Sequence, residues 1–164
     1  MHLHRNYGSI PPDMETIRAA EIDHDVNRCA AVMRDLRTHL DQQTIAAQIK
    51  RQMSAGRYRL AFVEDRGEVT AVAGYRFVEM LAWGKALYVD DLVSAAAHRS
   101  KGYGGRLFDW LVERARAMHC AQLHLDSGVQ RFGAHRFYLR KRMELISHHF
   151  VLELDRRPDE PEPT

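Results

Sequence analysis

Residues 99–106 read Arg99-Ser100-Lys101-Gly102-Tyr103-Gly104-Gly105-Arg106, and this glycine-rich turn is the most informative feature of the chain. It follows a strand-like run from Leu87 to Val93 and precedes an amphipathic, helix-like segment. A turn of this kind leaves backbone N–H groups unpaired at a helix N-terminus, where the helix dipole is positive. The sequence therefore predicts an anion cradle, and a pyrophosphate is the anion that we expect there.

Two common nucleotide-binding motifs do not fit this turn. A P-loop requires Lys followed by Ser or Thr after its last glycine, whereas Arg106 and Leu107 follow here. A Rossmann fingerprint requires a glycine or alanine three residues after Gly104, and that position is Leu107. Both motifs are excluded.

The remaining pattern, R-x-x-G-x-G-G after a strand, resembles the acetyl-CoA signature Q/R-x-x-G-x-G/A of the Gcn5-related N-acetyltransferase (GNAT) family. Upstream, residues 88–94 (YVDDLVS) resemble the fourth strand of that family. Downstream, residues 134–138 (AHRFY) resemble its A-x-x-F/L-Y helix. The resemblance extends over residues 58–154, in the order and spacing of the family.

The periodicity of the apolar residues predicts an α/β (α+β) fold with a mixed, mostly antiparallel central sheet flanked by helices. The predicted order is β-α-α-β-β-β-α-β-α-β, which is the layout of the GNAT family. A helix between two consecutive strands also predicts one parallel pair with a right-handed crossover. The predicted strands are at 14–20, 58–64, 69–78, up to Val93, at 122–126 and, as a closing strand, at 145–154. The first predicted helix follows an Asp23 N-cap and has an apolar stripe from Val26 to Leu40, and the second lies at 42–54 and is ended by Gly56. Of the last two predicted helices, one follows the glycine turn and the other lies at 131–140.

Length and composition bound the organisation of the chain. Its 164 residues, 45% of them hydrophobic, predict one compact domain over residues 14–154, which the family resemblance implies is an N-acetyltransferase domain. Residues 1–13 are expected to be flexible, and residues 155–164, rich in proline and acids, to be disordered. The chain has no apolar run near the ~20 residues of a membrane span and no signal-peptide pattern. We therefore expect a cytoplasmic protein without a membrane partner.

Charge and cysteine usage exclude further classes. A net charge of +2 predicts no nucleic-acid partner, although a nucleic-acid or protein interaction domain using the basic residues at 131–142 is a competing hypothesis. Cys29 and Cys120 lack metal-ligand spacing and are interpreted as structural. We expect no metal.

The family resemblance implies acetyl-CoA as a co-substrate. In the family, the fourth and fifth strands splay apart, and backbone groups of the fourth strand pair with the pantetheine arm. Those backbone groups also hold the thioester oxygen as negative charge develops on it. The implied cofactor-binding residues are Leu92, Val93, Ser94, Arg99, Ser100, Lys101, Gly102, Tyr103, Gly104, Gly105, Arg106 and Arg131.

Two side chains are candidates for proton transfer. An attacking amine must lose a proton, and the departing thiolate gains one. Asp90 is the first candidate for the base, because strict alternation places Tyr88 and Asp90 on one strand face and Asp91 on the other. Tyr138 stands where the family has its general acid, or else packs beside Phe137 as an ordinary helix residue. The alternative bases are Glu79, His124 and Asp126, each of which is otherwise a solvated or hydrogen-bonded strand residue.

The chain departs from the family pattern near its fifth strand. Arg131 stands where many members carry Asn, and Arg142-Met143 stand where they carry Gly-Phe. Arg131 either reaches a CoA phosphate or faces solvent. These departures concern contacts near the fifth strand rather than the fold.

The resemblance implies an enzyme that transfers acetyl from acetyl-CoA to a primary amine by direct attack in a ternary complex. The alternative is a CoA-binding or sensing module without turnover. The acceptor is a small-molecule or peptide amine that the sequence does not identify. A homodimer is common in the family, and the sequence leaves the oligomeric state open.

Overall fold

The structure is a computed structural model that describes residues 15–154. It divides at Leu125 into two compact units, of which the first contains the sheet and the second contains the last helix. The predicted single domain over 14–154 stays a prediction, and the predicted flexible and disordered ends lie outside the described residues. The elements are β1 (Thr16–Ala19), α1 (Asp23–Met33), α2 (Gln42–Ser54), β2 (Arg59–Asp65), β3 (Glu68–Met80), β4 (Gly84–Ser94), a short 3-10 helix (Ala96–His98), α3 (Tyr103–Ala117), β5 (Gln122–Leu125) and α4 (Phe132–Arg140).

The sheet has five strands in the order β1-β2-β3-β4-β5. The pairs β1–β2, β2–β3 and β3–β4 are antiparallel, and the pair β4–β5 is parallel. Helix α3 makes the crossover that a parallel pair requires. The predicted mixed, mostly antiparallel sheet is therefore confirmed.

Helices cover both faces of the sheet, because side chains of a strand alternate between its two faces. We call the side packed against α1 and α2 the helix-pair face and the other side the α3 face. The core of the helix-pair face includes Val26, Cys29, Ile45, Ile49, Tyr58, Phe62, Val72 and Val93. The core of the α3 face includes Ala73, Tyr75, Leu87, Val89, Leu107 and Leu111.

The connection between β2 and β3 is the tight hairpin that the sequence predicts. Arg66 and Gly67 both adopt positive φ angles, of 51° and 79°. Two successive left-handed residues match the right-handed twist of the flanking strands. Gly56, which was predicted to end α2, also has a positive φ of 69°, so both glycine signals are confirmed.

The start of α1 differs from the prediction. Asp23 is the first helical residue, and the N-cap position is Ile22, without a side-chain hydrogen bond. Asp25 is the acid that is used: it is 1% exposed and accepts 2.7 Å hydrogen bonds from both terminal nitrogens of Arg18. The acid of this turn that makes buried hydrogen bonds is therefore Asp25, whereas Asp23, which the local sequence favours as the N-cap, does not cap the helix. The predicted apolar stripe also extends beyond the helix, because α1 ends at Met33 and the residues up to Leu40 lie in the connection that follows.

The predicted closing strand at residues 145–154 is wrong. The chain there has no strand pairing within the described residues. A β-rich sequence becomes a strand only where a neighbouring strand supplies hydrogen bonds. Its large apolar side chains are 66–89% exposed, namely Leu145, Ile146, Phe150, Val151, Leu152 and Leu154.

The helices of residues 15–154 include none that is long and apolar enough to cross a membrane. Cys29 is buried, and burial raises the pKa of its thiol to about 12. A thiol with such a pKa stays protonated and unreactive at neutral pH. This supports the structural interpretation of Cys29.

We predict that Asp25→Asn lowers the free energy of unfolding by about 2 kcal/mol at pH 7, because it removes charge-assisted hydrogen bonds from Arg18. Burial raises the pKa of Asp25, but bonds from Arg18 and the Glu21 N–H outweigh it, so the pKa lies below its usual value. The contribution is therefore present above the unfolded pKa, about 3.9, and is lost as the pH falls through the lower folded pKa.

Denaturant unfolding at pH 7 and at acidic pH measures this difference. Asp23→Asn is the matched control, because Asp23 is 79% exposed in its pair with Lys50 and such pairs contribute little. Equal stability losses in the two variants, or a loss in Asp25→Asn that persists unchanged in acid, would contradict the prediction.

Candidate functional site

The edge of β4 that faces β5 is open over its last part. β5 pairs with residues Ala86 to Val89 and stops at Leu125. On its other side β4 stays paired with β3 as far as Ser94, opposite Ala71. Within residues 15–154, the stretch from Asp90 to Ser94 has no strand partner on the β5 side. The Asp90 carbonyl accepts a hydrogen bond from Arg37, so the backbone groups from Leu92 to Ser94 are the ones that can pair with an extended ligand.

The side chains of this open stretch belong to the core. Leu92 packs on the α3 face and Val93 packs on the helix-pair face. Only the backbone of these residues is thus left for a ligand, which is the kind of contact that the family resemblance implies for them. Their assignment as cofactor-binding residues stays a prediction.

The glycine turn forms the N-terminus of α3, as the sequence predicts. Gly102 is the N-cap residue with φ of 87°, and no side chain caps the helix. The first helical hydrogen bond runs from the Arg106 N–H to the Gly102 carbonyl. The N–H groups of Tyr103, Gly104 and Gly105 precede that bond and have no partner within the described chain. The first turn contains no acid that would compete with an anion for them.

Gly104 keeps open the space between α3 and the end of β4. A Cβ atom at position 104 would lie 2.8 Å from the Ser94 hydroxyl oxygen. The open strand edge and the helix N-terminus therefore approach each other at a position without a side chain. This cradle fits a long ligand that carries amides followed by a diphosphate.

The long side chains of the turn are mostly engaged within the protein. The Tyr103 hydroxyl donates to Asp65 of the β2–β3 hairpin. The Arg106 guanidinium lies 4.6 Å from the Tyr103 ring centre, and its Nε donates to Glu15 at 2.6 Å.

Two other basic residues of the turn differ in their surroundings. Lys101 Nζ lies 3.4 Å from His98 Nδ1. Arg99 is exposed, and Ser100 beside it has a positive φ of 64°. Arg99 is thus the cation of the turn best placed to meet a ligand from solvent.

A β-bulge in β4 places Asp90 and Asp91 on the same face. Gly74 is opposite Asp91, whereas Tyr75 is opposite Val89, so Asp90 is an extra residue in β4. An extra residue breaks the strict alternation of faces. Asp91 therefore shares the helix-pair face with Asp90, and the prediction that it lies on the opposite face is wrong.

Asp90 is held by one guanidinium. Arg76, the neighbour of Tyr88 across the sheet, donates from Nε at 2.9 Å and lies 2.7 Å away through Nη2. Burial raises the pKa of Asp90, and the bond from Arg76 offsets this only in part. The carboxylate is thus fixed in orientation and is a stronger base than an ordinary Asp.

The alternative bases are distributed over the chain. His124 is opposite Tyr88 in the sheet, stacks on Trp83 with ring centres 3.7 Å apart, and contacts Gln122 at 2.7 Å. Glu79 is exposed at the end of β3. Asp126, in the second unit, lies 2.9 Å from His149.

The remaining predicted site residues, Tyr138 and Arg131, belong to the second unit. Tyr138 lies on α4, and its ring makes an edge-to-face contact with the Phe137 ring, with ring centres 5.3 Å apart. Burial raises the pKa of its phenol, with a smaller opposing effect of Arg131. The Tyr138 phenol is therefore protonated and neutral at pH 7. Arg131 occupies the N-cap position of α4 without capping it through its side chain and is exposed.

Sequence reasoning missed Arg37, Tyr58 and Arg76, which contact the aspartates of the bulge. No local pattern marks them, because they lie between 14 and 54 residues from the aspartate that they contact. A search of residues 15–154 finds no group of three His, Cys, Asp or Glu side chains able to hold a metal ion.

A family model and a curated relative both indicate the same protein family. The model described as the Acetyltransferase (GNAT) family matches residues 22–143. The uncharacterized N-acetyltransferase YhdJ of Bacillus subtilis (strain 168) is 34% identical over 110 residues, which are 67% of this chain and 78% of that protein.

Solved structures share the fold. A transcriptional regulator from Bacillus halodurans C-125 has a TM-score of 0.76 at 20% identity, covering 86% of this chain and 100% of that chain. The aminoglycoside N-acetyltransferase AAC(6')-Iy, in complex with CoA, has a TM-score of 0.76 at 9% identity, covering 87% and 95% of the two chains. At these identities the likeness shows the fold alone.

Proposed function

The chain belongs to the acetyltransferase (GNAT) family, and from this we propose that it transfers acetyl from acetyl-CoA to a primary amine in a ternary complex. Membership of this family makes the protein an acyltransferase. What we propose beyond this is the donor, the acceptor and the roles of the individual residues. One observation carries it, namely that the open edge of β4 ends beside the N-terminus of α3, where no side chain caps the helix and a Cβ atom at position 104 would lie 2.8 Å from the Ser94 hydroxyl oxygen. We propose that the reaction takes place in the cytoplasm.

The cradle suits the shape of CoA. Backbone groups from Leu92 to Ser94 pair with the amides of the pantetheine arm as a strand would. The N–H groups at Gly104 and Gly105 bind the pyrophosphate, and Arg99 adds a positive charge. Acetyl-CoA supplies a thioester whose carbonyl carbon accepts the amine.

Asp90 and Tyr138 divide the proton transfers. The amine nitrogen attacks the carbonyl carbon, a C–N bond forms, and the C–S bond breaks with its electron pair on sulfur. An alkyl amine with pKa near ~10 arrives mostly protonated, so Asp90 takes its proton directly or through water. The neutral Tyr138 phenol gives a proton to the departing thiolate.

The acceptor is proposed as a small-molecule or peptide amine. It approaches on the helix-pair face, where Asp90, Tyr88 and His124 lie. The alternative, a CoA-binding module without turnover, keeps the same cradle and leaves Asp90 and Tyr138 structural. An amine panel with acetyl-CoA separates the two.

The first test is calorimetric titration with acetyl-CoA, CoA and dephospho-CoA. We predict that Gly104→Glu weakens the binding of each by about 100-fold or more, because it fills the cradle and sets a carboxylate against the diphosphate. Ala117→Glu is the matched control, since it adds the same charge to the exposed last residue of α3. Absence of binding to the unmodified protein, or equal affinity in both variants, would remove the cofactor site.

Tyr138→Phe removes the proposed acid while keeping the ring. We predict that kcat falls by about 100-fold or more, since this is the usual contribution of general acid catalysis. The Kd of acetyl-CoA should change by less than about threefold, because no base or acid step contributes to binding. Steady-state kinetics beside calorimetry measures both, and an unchanged kcat takes Tyr138 out of the mechanism.

Asp90→Asn should change the pH dependence of kcat/KM. Asp90 acts as a base only when ionised, so activity rises as the pH passes its pKa, which burial raises above the ordinary value. In the variant this acid-side rise disappears and only the rise from the amine itself remains. Glu79→Gln is the control; a rise lost in Glu79→Gln but kept in Asp90→Asn would assign the base to Glu79.

A further inference from the structure

Asp91, the second acid of the bulge, is held from two directions within the first unit. Arg37, in the connection between α1 and α2, donates from Nε to Asp91 Oδ1 at 2.8 Å, with Nη2 at 2.6 Å. Tyr58, just before β2, donates its hydroxyl to Asp91 Oδ2 at 2.9 Å. Each carboxylate oxygen therefore has its own donor, and the side chain is only 12% exposed.

The Tyr58 contact depends on a glycine in β3. Gly74 is the residue opposite Asp91, and a Cβ atom there would lie 1.7 Å from the Tyr58 hydroxyl oxygen. No side chain fits at position 74 while Tyr58 reaches Asp91. The glycine, the tyrosine and the bulge thus form one packing arrangement.

Arg37 also contacts the other residue of the bulge. Its Nη2 donates to the backbone carbonyl of Asp90 at 3.2 Å while the same guanidinium binds the Asp91 carboxylate. One rigid, planar group therefore spans both residues of the bulge. A bulge lacks the regular ladder bonds that fix a strand, so contacts from outside the sheet determine its shape.

The shape of the bulge controls two parts of the proposed site. It sets the direction in which the Asp90 side chain leaves β4, and it sets the position of the open edge from Leu92 to Ser94. Neither part is touched by the Asp91 carboxylate, which bonds to Arg37 and Tyr58 instead. Asp91 therefore acts on the site through the backbone.

We propose that Asp91, clamped by Arg37 and Tyr58, is a positioning residue that fixes the β4 bulge and thereby aims Asp90 and orders the open edge of β4. The effect on turnover rests on the proposed function, whereas the effect on the order of β4 does not. The clamp also links the connection between α1 and α2 to the strand where the transfer takes place.

The experiment compares Arg37→Lys, Arg37→Gln and Tyr58→Phe with the unmodified protein. Arg37→Lys keeps the charge but lacks the forked guanidinium that spans both bulge residues. Arg28→Gln is the matched control, because Arg28 likewise binds a carboxylate, of Glu64, and a backbone carbonyl, of Gly67, both at 2.8 Å, but at the β2–β3 hairpin. The measurements are hydrogen exchange of the amides at 90–94, kcat, and the Kd of acetyl-CoA.

We expect both Arg37 variants to exchange the amides at 90–94 at least about tenfold faster than the unmodified protein, a local opening rather than a global one. We expect kcat to fall by about 10- to 100-fold, the usual cost of a small misplacement of a reacting group. The Kd of acetyl-CoA should rise by less than kcat falls, by about tenfold at most, because the loosened edge at 92–94 weakens only the contacts proposed for the pantetheine arm while the glycine turn is unchanged. Tyr58→Phe should show the same changes to a smaller extent, and Arg28→Gln none of them.

Three results would overturn the inference. Normal exchange and kcat in Arg37→Lys would show that only the charge matters, and normal exchange and kcat in Arg37→Gln would show that the clamp has no role. Equal losses in Arg28→Gln would show general destabilisation. If the unmodified protein binds no CoA and acetylates no amine, the proposed function fails, and the exchange rates then decide the positioning role alone.

Discussion

Unequal pairing of β4 on its two sides organises the rest of the structure. β3 pairs with β4 as far as Ser94, whereas β5 pairs with β4 only as far as Val89. Unpaired backbone groups need a partner, which water or a ligand must supply. Because the end of this stretch at Ser94 lies close to Gly104, unpaired backbone groups of the strand and of the helix N-terminus are near each other. Together they match a ligand built as a polyamide chain with an anionic end.

The bulge beside this edge brings two carboxylates together without leaving either unpaired. Each has its own guanidinium, Arg76 for Asp90 and Arg37 for Asp91. A half-buried carboxylate with no counter-ion would be strongly disfavoured, and two adjacent ones more so. The pairs differ in consequence, because Asp91 is also bonded to buried Tyr58, whereas burial leaves Asp90 with a raised pKa. These differences support the proposed roles, in which Asp91 holds the strand and Asp90 accepts a proton.

Donor and acceptor recognition rest on different kinds of atoms. The cradle that we propose for CoA uses mainly backbone N–H and C=O groups, which any sequence with this fold and these glycines presents. An acceptor would meet side chains of the helix-pair face, such as Tyr88, Asp90 and His124. Fold and family therefore support the proposed reaction and donor. The acceptor depends on side chains that can differ between proteins of the same fold.

Local patterns in the chain were enough for the presence of the helices, the hairpin at Gly67 and the turn at Gly102, because each depends on residues close in sequence. The parallel β4–β5 pair was predictable from the order strand, helix, strand, because such a crossover places the two strands parallel. They failed at residues 145–154, where a β-rich sequence lacks the neighbour that would make it a strand. They also misplaced Asp91, since a bulge is a property of the pairing between β3 and β4. Arg37 and Asp91 are 54 residues apart, so only the packed chain brings them into contact. The apolar periodicity and the glycine turns are local properties, so the sequence by itself determined them. Strand register and ion pairing join distant segments, so only the tertiary structure decided them.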